Sequence, residues 1–152
     1  MPQINQLTAY SCVADCWAHY MRERGNQITT EDILKNHRDI CWAAKPHEYG
    51  SITANNFPIL VRRYLFNETV FTPQVINDVL NLISQNHAIF ILAAQYVNPK
   101  VPGITCHAMR VIGGQNDELH LLVPGLPYGY RQNATLNQVQ GWAGEFRDVS
   151  DL

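Results

Sequence analysis

A glutamine stands six residues ahead of a cysteine, Gln6 and Cys12, in the run Gln-Leu-Thr-Ala-Tyr-Ser-Cys. Far down the chain a histidine opens an apolar stretch that ends in glycines, from His107 through Met109, Val111 and Ile112 to Gly113 and Gly114. If these side chains act together, a segment near the N-terminus must pack against a strand from the second half. Taken singly they say little, since a lone cysteine is most often a small buried hydrophobe. Their order and spacing carry the information.

A free thiol has a pKa near 8.5 and is only a few per cent thiolate at about pH 7. A nearby imidazole or a helix N-terminus raises that fraction. Val13, Ala14, Trp17, Ala18 and Met21 recur at the spacing of one helical face, which predicts a helix from about Cys12 to Arg24 that stops at Gly25. Cys12 then sits in the first turn, where the dipole and the unpaired N–H groups favour an anionic sulfur. Gln6, on the preceding loop, is placed to donate its amide to an oxyanion, with the Cys12 backbone N–H as second donor. One such donor is worth about 10²–10³ in rate. His107 is the expected base. Cys16, which precedes Trp17, is the rival thiol; it lies one helical turn further from the dipole end and reads as packing, as does Cys41.

These motifs resemble the papain-like cysteine peptidases, in particular a compact bacterial branch. That branch includes the peptidase domains of bacteriocin-exporting ABC transporters and effector or toxin peptidases. The segment Gly25 to Leu34 is similar to the turn and second helix after the nucleophile helix. Leu136 to Gly144, with Trp142, resembles the closing segment. The resemblance implies an α+β, papain-like fold in which an N-terminal helical half carries the nucleophile helix and packs on a C-terminal antiparallel sheet. It implies catalysis by Cys12 and His107 with Gln6 at the oxyanion, and needs no cofactor and no metal. The implied reaction is hydrolysis of a protein substrate through an acyl-thioester. The implied setting is a secreted bacterial effector or interbacterial toxin, acting in the cytoplasm of a target cell and restrained by a cognate immunity protein. Related chemistries stay open: deamidase, transglutaminase, leader peptidase, or a catalytically weakened binding module.

The sequence departs from the family at one place. The residue that orients the imidazole usually follows the histidine by about sixteen positions, and here that position is Val123. A valine accepts no hydrogen bond, so a backbone carbonyl, a water or another side chain must orient the ring, or the site is weakened. Asn116, Asp117 and Glu118 are polar, but they fall in an expected hairpin turn at the far end of the strand. The expectation is a Cys–His dyad.

Length suits one domain over residues 1–152, able to bury about 70% of its unfolded surface. With 46% hydrophobic and 16% charged residues the composition is that of a globular protein. A net charge of −2 gives no electrostatic footprint for nucleic acid. No apolar run approaches the roughly 20 residues needed to span a bilayer, and residues 1–5 lack the pattern of a signal peptide. With the signature starting at residue 6, no inhibitory propeptide is expected, or else the chain is a domain of a longer polypeptide. Cys12, Cys16, Cys41, Cys106, His107 and His120 are zinc-ligand types, but no Cys-x-x-Cys pair occurs.

Along the chain, a helical first half precedes a strand-rich second half. A second helix follows Thr29 or Thr30, with Asp32 completing a capping box. Residues 54–64 read as a helix weakened by Pro58. Thr72-Pro73 reads as the opening of a helix whose buried face holds Val75, Ile76, Val79, Leu80 and Ile83. Residues 88–96, 106–112 and 119–123 read as strands. The loops 97–103 and 124–130 are expected to border the cleft.

Overall fold

The computed structural model describes residues 3–41, 49–101 and 103–152. Trp42 and Pro46, from the expected Cys41-Trp42 pair and the loop after it, lie outside the described residues. Three helices come first: α1 (Cys12–Glu23), α2 (Thr30–Asn36) and α3 (Phe57–Arg63). Strand β1 (Phe66–Phe71) and helix α4 (Ile76–Ser84) follow. Then come β2 (Ala88–Ala93), β3 (His107–Gln115), β4 (Glu118–Val123), β5 (Tyr130–Ala134), α5 (Leu136–Gly141) and β6 (Gly144–Asp151).

The strands form one six-stranded sheet in the order β1-β6-β2-β3-β4-β5, with each neighbouring pair antiparallel. Strand β2 is apolar throughout because the sheet is covered on both faces. Successive side chains point to opposite faces. Phe90 and Leu92 therefore join a cluster with Trp17, Leu34, Phe57 and Leu60, while Ile89 and Ile91 join Val79, Met109, Leu121 and Val139. Helix α1 is buried along Cys12 to Met21 rather than on one stripe. Trp17 anchors it, with Phe66 and Tyr64 edge-on at 5.4 and 5.8 Å.

The α+β expectation holds, with helices packed on an antiparallel sheet. The β3–β4 hairpin turns at Asn116 and Asp117, both with positive φ, as its two-residue connection requires. The Thr29–Asp32 capping box is present, with Thr29 Oγ1 accepting from Asp32 N at 3.2 Å and the Asp32 carboxylate accepting from Thr29 N at 3.0 Å. Other expectations fail locally. Thr72 is not a cap: the Asp78 carboxylate takes the N–H groups of Gln74 and Val75, which moves the helix start to Ile76. Pro58 marks the first turn of α3 instead of weakening it, and that helix begins at Phe57, not residue 54. Strand β2 stops at Ala93, where Gln95 N turns to the Trp142 carbonyl. Strand β1 breaks the helical first half, and β6 was not expected at all.

Among the described residues no helix is long and apolar enough to cross a membrane.

Candidate active site

Cys12 is the first residue of α1, and Ser11 is its cap position. The loop ahead of it is held from both sides. Ser11 Oγ accepts from Thr8 N at 2.9 Å. The buried Asp15 carboxylate, one turn into the helix, accepts from Leu7 N at 3.3 Å and from the hydroxyls of Ser11 and Thr30 at 2.7 Å. Burial pushes the Asp15 carboxyl up to about 7, against the hydrogen bonds that favour its charge.

Gln6 is buried on this loop, and its backbone N–H donates to the Gly125 carbonyl at 2.8 Å. Its side-chain Nε2 donates to the Thr8 carbonyl at 3.0 Å and lies 3.5 Å from the Ala9 carbonyl, while Oε1 is buried without a partner among the described residues. The amide is therefore anchored within its own loop, one residue group away from the helix start that carries Cys12.

His107 opens β3, 3% exposed. Its two ring nitrogens differ. Nε2 lies 2.9 Å from the Pro124 carbonyl oxygen and 2.8 Å from Nδ2 of Asn98. Nδ1 is buried with no partner among the described residues. One face of the ring stacks on Tyr96, with centroids 5.7 Å apart and planes 15° from parallel. Trp142 meets Tyr96 edge-on at 4.8 Å.

The thiol comes to this histidine through the packing of α1 on β3. Cys12 Sγ accepts from the backbone N–H of Ala108, the residue after His107. Cys12 and His107 both line one cleft of about 780 Å³, together with Tyr10, Ile52, Leu92 and Ile104. The expected thiolate is not what this geometry favours. Burial pushes the Cys12 thiol up to about 12, and the N–H groups of Ala108 and Val13 only partly offset it. Burial likewise pushes the His107 imidazole down to about 4, with the Pro124 carbonyl acting the other way. Burial thus disfavours the charged form of each group. The helix N-terminus is present, but desolvation outweighs it.

Neither a family model nor a curated protein matches the sequence. Solved structures do. The peptidase domain of Streptococcus ComA, a bi-functional ABC transporter involved in a quorum-sensing pathway, superposes with a TM-score of 0.67 at 13% identity, over 99% of this chain and 98% of that one. A C39-like peptidase from Bacillus anthracis superposes with a TM-score of 0.58 at 14% identity, over 98% of this chain and 94% of that one. The chain has the papain-like fold of these peptidases.

Within that fold, Cys12 and His107 line the same cleft, and Gln6 lies buried on the loop ahead of Cys12. Cys16 is buried, and burial drives its thiol well above the ordinary range, so the rival thiol reads as packing. Cys41 is buried and Cys106 is exposed at the cleft. Among the described residues no three His, Cys, Asp or Glu side chains gather as metal ligands. Val123 is wholly buried in the apolar cluster with Tyr96 and Met109. Sequence reasoning missed Asn98, Tyr96 and Asp15. Asn98 falls in the loop expected to border the cleft, but nothing in its spacing to His107 signals a contact.

Proposed function

We propose that the chain is a cysteine peptidase acting on protein substrates, with Cys12 as nucleophile and His107 as base. The observation that carries this reading is the unpartnered Nδ1 of a buried His107 on the same cleft as Cys12, a thiol at the start of a helix. Because burial disfavours the charged form of each group, proton transfer accompanies attack. Sγ bonds to the scissile carbonyl carbon as its proton moves to Nδ1. The oxyanion that forms accepts from the Cys12 backbone N–H, which has no partner inside the helix, and from Gln6 Nε2, whose second hydrogen is only weakly committed to Ala9. The C–N bond then breaks and the imidazolium gives its proton to the leaving amine. Water attacks the thioester, returns a proton to the sulfur through His107, and releases the acid.

The resemblance to effector peptidases supports a target among proteins of another bacterial cell, with a cognate immunity protein covering the cleft. Val123 and the high pKa of Cys12 favour a second reading, a weakened module that binds without cleaving.

Mass spectrometry of a bacterial lysate incubated with wild type and with Cys12→Ala tests both. New termini that need Cys12 are the expected result, while deamidated or cross-linked products would reassign the chemistry. Products made equally by both proteins defeat the mechanism. Binding of a target with no product from either favours the weakened module.

A further inference from the structure

With Val123 in the core, something else must set the ring of His107. The groups around Nε2 are Asn98 and the Pro124 carbonyl, and the orientation of the Asn98 amide decides their roles. Asn98 is 1% exposed. Its Oδ1 accepts from the Lys100 backbone N–H at 2.9 Å and from the Tyr130 hydroxyl at 3.4 Å. Its Nδ2 donates to the Pro124 carbonyl at 2.9 Å. Turned over, the amide would set oxygen against the Pro124 oxygen and NH₂ against the Lys100 N–H, losing both bonds. The amino end therefore faces the ring 2.8 Å from Nε2, where it cannot accept the Nε2 proton. It could donate only if that proton sat on Nδ1, which would set a bare Nε2 against the Pro124 oxygen at 2.9 Å. The Pro124 carbonyl can accept the Nε2 proton.

We infer that the Pro124 carbonyl, held in place by Asn98, orients His107 in place of the side chain lost at position 123. Nε2–H donates to this carbonyl, which leaves Nδ1 without hydrogen and turned to the cleft, as a base requires. Asn98 is thus a positioning residue: it fixes the carbonyl and closes Nε2 off from water. The inference rests on the peptidase reading for its kinetic consequence, but not for its geometry. The other titratable groups facing the ring are Tyr96 stacked on it, Tyr130 behind Asn98, Cys106 beside it in sequence, and Cys12 and Glu145 on the cleft.

Nitrogen-15 NMR of the histidine side chains in the full chain tests this, with His107→Gln assigning the signal. Wild type at neutral pH is expected to show His107 as the Nε2–H tautomer. Asn98→Ala should raise the Nδ1–H fraction and lower kcat on the order of tenfold or more, with KM within about twofold. Asn98→Asp should raise the pH at which His107 titrates, and the acid limb of the rate profile with it. An Nδ1–H tautomer in wild type would overturn the inference, as would an Asn98→Ala protein with unchanged tautomer and kcat. If Asn98→Ala does not fold, the wild-type spectrum still decides. The spectra need no substrate, so a protein that cleaves nothing leaves the tautomer result standing. Cleavage that survives Cys12→Ala defeats the peptidase reading without touching it.

Discussion

Gln6 and His107 are tied to consecutive peptide groups: Gln6 N donates to the Gly125 carbonyl at 2.8 Å, and His107 Nε2 lies 2.9 Å from the Pro124 carbonyl. One short stretch after β4 thereby positions the Gln6 loop and the imidazole together. The stretch leaves no room for a side chain. A Cβ at Gly125 would stand 2.9 Å from the Lys100 Cβ and well inside contact with the Tyr128 carbonyl oxygen. Gly125→Ala is therefore expected to displace both anchors, lowering stability by about 1–3 kcal/mol and activity by more than that loss explains. Thermal melts alongside kcat check this, and full activity at reduced Tm would sink it.

Tyr96 supports the imidazole by its ring and holds Tyr130 and Gln132 by its hydroxyl. Tyr96→Phe keeps the stack and removes the hydroxyl, for an expected loss of about 1 kcal/mol. Tyr96→Ala also leaves a cavity under His107 and Trp142, raising the loss to roughly 3–5 kcal/mol. Denaturant titrations of the two variants separate ring from hydroxyl; equal losses would show that the stack contributes nothing.

The site was legible where chemistry imposes spacing, and illegible where tertiary contacts made it. Gln6, Cys12 and His107 stand out as candidates because a loop amide, a helix start and a strand start sit at fixed places in the order of the chain. Asn98 does not, since its bond to Pro124 joins two loops whose approach no local pattern encodes. Strand β6 was missed for a related reason. Its run Gly-Glu-Phe-Arg-Asp-Val-Ser-Asp shows only Phe146 and Val149 as core residues. The charge that spoils its pattern, Arg147, is neutralised by Glu68 on the neighbouring strand β1. Strand β1 itself, though paired with β6, stays largely exposed at the sheet edge.

That pairing makes a contrast. Arg147 lies 2.6 Å from Glu68, whose side chain is 3% exposed, and 2.7 Å from Glu145, which is 52% exposed. Removing Glu68 leaves a buried guanidinium with a solvated carboxylate and the Ala54 carbonyl as partners, and Glu68→Ala is expected to cost roughly 3–5 kcal/mol. Glu145→Ala should cost at most about 1 kcal/mol. Chemical denaturation of both variants would refute the ordering if Glu145 proved the larger.

Three of the four thiols, Cys106, Cys12 and Cys16, should react in an order set by access and charge. Cys106 is exposed, whereas Cys12 is buried with its thiol pushed up to about 12, and Cys16 is buried deeper with its thiol also raised by burial. Iodoacetamide near neutral pH is expected to label Cys106 first, Cys12 slowly and Cys16 only on unfolding. Cys12 labelling should quicken as pH rises. Peptide mapping by mass spectrometry follows each site, and Cys12 reacting ahead of Cys106 at pH 7 would mean that the thiolate forms in the free protein.

Asp15 offers a test of the nucleophile loop through pH. Its carboxyl ordinarily titrates at 3.8 and is raised by burial to about 7, so the folded chain keeps a proton that the unfolded chain releases. The stability that proton confers is complete below pH 3.8 and is lost as pH rises to about 7. His107 runs the other way. Its folded value near 4 lies below the ordinary 6.5, so its contribution is present above pH 6.5 and is lost as pH falls towards 4. Between about 4 and 6.5 the two offset one another in wild type, and a plain Tm profile there would look flat. Asp15→Asn removes one of them. The Tm of Asp15→Asn minus that of wild type should therefore climb from pH 4 to pH 8, by an amount corresponding to roughly a few kcal/mol. The variant also alters the bonds to Leu7, Ser11 and Thr30 at every pH, so the slope of the difference carries the prediction. A difference independent of pH would show that Asp15 is ionised in the fold and that the loop holding Gln6 and Cys12 is clamped by a carboxylate.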